Sequence, residues 1–135
     1  MASVNWWAVL VAAVASFLVG GIWYGALFSK AWPRLHKFTP EEIESLRNQQ
    51  LRGFLIFLIS DLVLTTVVAG LTAALELDTA LAGALLGFWL WLGLAATQTL
   101  TLNAASGKPA GLFWMDTSKQ LVSLLVIGAI IGAWR

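Results

Sequence analysis

The stretch from Gly53 to Leu75, GFLIFLISDLVLTTVVAGLTAAL, decides the fold. About 20 mostly apolar residues carry a helix across the hydrocarbon core of a bilayer. This run meets that length and holds one ionisable group, Asp61. It lacks the period-two alternation of a barrel strand, and an open strand could not satisfy its backbone in lipid. Three further stretches have the same character. About Asn5 to Phe28 and about Ala80 to Leu102 are uncharged, and about Gly111 to Trp134 carries Asp116 and Lys119 near its start. The expected fold is all-α, a four-transmembrane-helix bundle forming a single integral membrane domain over residues 1–135.

Composition agrees. Hydrophobic residues make up 59% and charged residues 11%, against about 45–50% and about 25% in soluble domains. So small a chain needs lipid as its solvent. A net charge of +1 gives no reason to expect nucleic acid as a partner, and the absence of cysteine excludes disulfides and thiolate ligands. Ala13-Val14-Ala15 resembles a signal-peptide cleavage site, but no basic residue precedes the apolar run and the run continues past it. The first helix is therefore read as retained.

Aromatic residues mark the span ends, as expected of rings that favour the headgroup level. Trp6 and Trp7 open the first span, Trp23, Tyr24 and Trp32 lie at or beyond its close, and Trp114 and Trp134 bracket the fourth. Trp89 and Trp91 fall near the middle of the third, where they pack on a helix or face lipid. The first loop carries Lys30, Arg34, Lys37, Arg47 and Arg52, and the third adds Lys108. The opposite side has Arg135 with Glu76 and Asp78. The basic bias predicts loops one and three in the cytoplasm and both termini outside.

In the first loop, Thr39-Pro40-Glu41-Glu42 reads as a helix start, with Thr39 as N-cap, Pro40 at the first position and Glu42 completing a capping box. No Gly or Pro follows until Gly53, so a cytoplasmic helical extension is expected to lead into the second span. Ahead of it, Trp32, Leu35 and Phe38 alternate with Lys30, Arg34 and Lys37, the pattern of an interfacial segment.

The run Asn5-Trp6, then Gly20-Gly21-Ile22-Trp23-Tyr24-Gly25-Ala26-Leu27-Phe28-Ser29-Lys30-Ala31-Trp32, resembles a widespread bacterial family of small four-helix membrane proteins known only as a domain of unknown function. Gln120-Leu121-Val122-Ser123 and the Gly-punctuated run after it are similar as well. The resemblance covers nearly the whole chain. Its most specific part is Gly-x-x-Trp-Tyr with the Lys-x-Trp that follows. It implies the four-helix topology and a bacterial plasma membrane, and it implies no activity, cofactor or site residue.

Charged groups inside a span are costly and mark functional positions. Counted from the basic end at about 1.5 Å per residue, Asp61 and Lys119 lie about 12 Å deep, Asp116 about 8 Å, and Gln98 and Tyr24 about 6 Å. Asp116, Lys119 and Gln120 share one helix face, which Ser123 continues one turn deeper. Asp61, Lys119, Asp116, Gln98, Gln120 and Tyr24 thus form a candidate polar layer in the cytoplasmic half. Two readings stay open. Asp61 and Lys119 pair across helices as structural glue, or the layer lines a cavity for an ion, solute or lipid. Lys119 could instead extend to the interface.

Gly21/Gly25, Gly83/Gly87 and Gly128/Gly132 form GxxxG steps that permit close helix approach. The run from Asp61 aligns loosely with that from Gln120, a weak internal repeat. The lone His36 reads as a loop residue and no metal site, since metal sites need several ligands. No nucleophile–base pair, phosphate loop or zinc motif appears, so the sequence supports no enzymatic activity and no cofactor. Two functions stand: a solute-binding bundle, or an accessory subunit of a larger membrane complex. A homo-oligomer, most simply a dimer, is expected of a small bundle with much small-residue surface.

Overall fold

The computed structural model describes residues 4–134. Arg135, used above for orientation, lies outside the described residues. In chain order the helices are α1 Trp6–Ile22, α2 Ala31–His36, α3 Pro40–Asn48, α4 Gln50–Ala74, α5 Ala80–Leu90, α6 Ala96–Ser106 and α7 Ala110–Ala133. Wide turns extend α1 over Trp23–Leu27 and join α5 to α6 over Trp91–Ala95. Four stretches are long and apolar enough to cross a membrane: Trp6–Leu27, Gln50–Ala74, Ala80–Ser106 and Ala110–Ala133.

Local chemistry sets the ends. The Asn5 side chain accepts from the N–H of Trp7 (3.1 Å) and of Ala8 (3.3 Å), capping α1. Its amide also donates to the Trp134 carbonyl at 3.2 Å, so the start of α1 lies beside the end of α7. Thr39 and Glu42 form the capping box, with bonds of 3.1 and 3.3 Å. The helical extension α3 is separated from α4 by Gln49 alone, whose carbonyl still accepts from Gly53 N at 3.0 Å. Gly107 closes α6 in the left-handed region at φ 66°, where a Cβ would be strained.

Helix α7 is the centre of the assembly. It packs against α5 and α1 most heavily and against α4 and α6 as well, while α1 also packs on α4. The core is a seam of small and branched residues, Ala8, Val9 and Ala12 of α1, Val68 and Ala69 of α4, and Leu124, Ile127 and Ile131 of α7. Contact between α5 and α7 is glycine on glycine. A Cβ on Gly83 would lie 1.9 Å from the Gly128 carbonyl oxygen, and one on Gly87 would lie 2.2 Å from that of Leu124. Gly132 meets the Thr79 carbonyl in the same way. Two of the three GxxxG steps thus face each other, whereas a Cβ on Gly21 or Gly25 would meet open space.

Candidate functional site

The aromatic segment after α1 converges on the first turns of α7. The wide turn begins at Trp23, whose carbonyl accepts from Phe28 N, five residues on, at 2.9 Å. This i→i+5 closure is a π-turn. Trp23 Nε1 donates to the Met115 carbonyl at 2.9 Å, and the Tyr24 hydroxyl donates to Asp116 Oδ1 at 2.5 Å. Trp32, carried back by α2, donates from Nε1 to the same oxygen at 3.3 Å. Asp116 is thereby tied to both aromatic residues of the Trp-Tyr…Lys-x-Trp segment that reach it.

Behind Trp32 the loop folds on itself. Lys37 adopts φ 57° and ends α2, which turns Phe38 back until its ring stacks on His36 at 4.8 Å. Trp32 meets the His36 ring edge-on at 4.3 Å. Lys108 of the third loop donates to the His36 carbonyl at 3.3 Å and sits 6.0 Å over the Phe38 ring. His36 is therefore part of a clasp between loops one and three, not a loose loop residue. Its Nε2 is buried without a hydrogen-bond partner. Burial holds its basicity below the ordinary value, Lys108 adds to this, and Asp116 opposes it.

Deeper in the bundle, Asp61 is 7% exposed and Ser16 is fully buried. The Ser16 hydroxyl donates to Asp61 Oδ1 at 2.8 Å, linking α1 to α4. Lys119 lies on the adjoining seam, with Cε 3.4 Å and Nζ 3.9 Å from the point where a Cβ on Gly20 would stand. Among the described residues no ion pair joins Lys119 to Asp61. Gln120 accepts from Thr99 of α6 at 3.1 Å. Gln98 is exposed on the outer side. The wide turn Trp91–Ala95 explains the difference, because it advances the helix phase so that Thr99 faces α7 in place of its neighbour. Trp91, which opens that turn, donates from Nε1 to the Thr117 carbonyl at 2.8 Å. Thr117 Oγ1 and Ser123 Oγ are buried without partners.

The six residues of the expected layer therefore divide. Tyr24 and Asp116 form one hydrogen-bonded cluster near the basic end, Asp61 joins Ser16 deeper in, Gln120 joins Thr99, Lys119 lies on the α1–α7 seam, and Gln98 stands apart. Ser16 was missed because it is one hydroxyl in an Ala- and Val-rich run; its only signal is a position facing the core. Trp91 was legible as a mid-span aromatic, without its partner. No group of three or more His, Cys, Asp or Glu that could hold a metal occurs among the described residues.

A helical core without strands among the described residues, and four stretches long and apolar enough to cross a membrane with most of the charge in the loops between them, define a polytopic membrane protein. The chain belongs to the protein family of unknown function DUF1761, whose family model matches residues 7–132. No curated protein and no solved structure matches it.

Proposed function

We propose that this protein is a non-enzymatic helical bundle of a bacterial plasma membrane. In this reading the polar layer in its cytoplasmic half holds a small solute, an ion before a bulkier solute or a lipid. Loops one and three face the cytoplasm and both termini face out, following the basic residues of those loops. The observation that carries the reading is Asp61. A carboxylate this deep in a span is expensive unless it serves a purpose, and its hydrogen bond comes from one hydroxyl of a neighbouring helix. One carboxylate with a single hydroxyl beside it suits an ion before a bulkier solute. The small hollow at the end of the bundle is lined by Val4, Asn5, Ala8, Ala69, Ala73, Ile131 and Trp134, and another lies on the surface of α3. Neither borders Asp61.

Reconstituted vesicles test this. Ion-selective dyes inside should report movement that Asp61→Asn abolishes; vesicles no more permeable than protein-free ones, across alkali ions, protons and small organic solutes, would end a transport role for the layer and leave binding alone to be tested.

A second reading, an accessory or self-associating subunit, draws on the third span. Leu81 is 71% and Trp89 63% exposed there, on the helix that the rest of the chain covers least. A photoreactive residue at position 89 should crosslink to a second protein in native membranes if a complex exists, and to a second copy if the bundle is a dimer.

A further inference from the structure

We infer that Ser16, Asp61 and Ser123 form a binding site for a single small alkali cation of the sodium or lithium size class. The inference rests on the proposed ion-binding reading and names its ligand and its donor atoms.

The three residues come from three helices and share one level. Ala8, Ala69 and Ile131 line one hollow near the chain termini. Eight residues from each, about 12 Å along the helix toward the basic end, lie Ser16 on α1, Asp61 on α4 and Ser123 on α7. All six are buried, and the turn of about 80° that eight residues make keeps each pair within one broad inward-facing stripe. The contact of Gly20 with Lys119 lies one turn further along the same α1–α7 seam, which fixes the register independently.

The donor set suits a hard monovalent cation. Such ions take oxygen ligands, and carboxylate and hydroxyl oxygens both qualify. Asp61 Oδ1 is engaged by Ser16, while the structure gives Asp61 Oδ2 no hydrogen bond. Ser16 has used its proton on Asp61 and keeps lone pairs. Ser123 Oγ, on a residue 2% exposed, has no hydrogen-bond partner at all. A buried hydroxyl without a partner costs free energy, and a bound ion would satisfy it. One carboxylate balances one positive charge, and the lack of a metal-holding acidic cluster among the described residues argues against a divalent ion. Lys119 stands at the basic-end side of the site with no hydrogen bond in the structure, so its ammonium competes with the ion for the field of Asp61.

The test is thermal unfolding of the purified full chain in mild detergent, titrated with NaCl, LiCl, KCl or choline chloride at matched ionic strength. The expected result is a saturable rise in melting temperature with Na⁺ or Li⁺ that choline does not give. Ser123→Ala and Asp61→Asn should each remove that rise while still melting cooperatively in choline. Lys119→Met should lower the half-saturating Na⁺ concentration by about tenfold, the effect of removing one like charge at partly screened range. No alkali-specific rise in the unaltered chain overturns the site, and so does a rise that survives Ser123→Ala. Should Asp61→Asn fail to fold, the unaltered chain and Ser123→Ala still decide. Solute movement in vesicles without alkali-specific stabilisation ends the cation site and leaves the solute reading standing. Alkali-specific stabilisation without movement supports the site and ends the transport reading.

Discussion

Asp116 shows what a single carboxylate does for the basic end. Its Oδ1 gathers the Tyr24 hydroxyl and the Trp32 indole, so α1, α2 and α7 meet at one atom. Tyr24→Phe keeps the ring and removes the stronger donor. The expected loss is about 1.5–3 kcal/mol, the range for a hydrogen bond to a charged group, read as a lower unfolding midpoint in a denaturing-detergent titration. His36 adds a pH dependence. Its folded basicity is lowered, so its contribution is fully present above the ordinary value of 6.5 and is lost as pH falls through the lower folded value. Melting temperature should therefore drop on acidification below pH 6.5, and His36→Phe should flatten that drop. Sequence made Asp116, Asp61 and Tyr24 visible because polar groups stand out in apolar runs. Their partners were hidden because a serine among alanines, or an indole donating to a backbone carbonyl, leaves no mark on composition.

At the scale of the element, sequence and structure part at the wide turns. The three GxxxG steps look alike as strings, yet Gly83 and Gly87 meet backbone across the α5–α7 contact while Gly21 and Gly25 meet nothing. What distinguishes them is the partner surface, which a local pattern does not contain. Gly87→Val should cost about 3 kcal/mol or more, because the obstructing atom is a carbonyl that cannot swing aside. Gly21→Val should stay within about 0.5 kcal/mol. Equilibrium unfolding of the two variants side by side checks this, and equal effects would mean that α5 does not lie on α7. A second likeness between spans, apart from the loose Asp61–Gln120 alignment, lies at these turns. Trp23-Tyr24-Gly25 and Trp91-Leu92-Gly93 each open a π-turn, and each tryptophan donates to a carbonyl of α7. Both turns fall in unbroken apolar sequence, and a count of depth places Gln98 in the layer without saying which way it faces, whereas the chain turns Thr99 toward Gln120 of α7.

At the scale of the whole molecule, the number and places of the four crossings were legible because each is a long apolar run with a turn at its end. The sidedness proposed for them rests on loop charge and is open to direct test. Single cysteines at Asn48 and Ser106 should react only with reagent inside the cell, and one at Asp78 only with reagent outside; the reverse pattern would invert the proposed topology. The arrangement around α7 bears on how the protein is made. A ribosome synthesises from the amino terminus, so the helix that α1, α4, α5 and α6 all pack against is the last of the four to emerge. Until it does, the glycine faces of α5 have no backbone to receive them. Assembly is thus held back until α7 has emerged, and a chain stopped before Ala110 should be cleared by membrane proteases. Supplying residues 110–134 as a separate polypeptide in the same cell should rescue it, since insertion of each helix and packing between helices are separable stages in a bilayer.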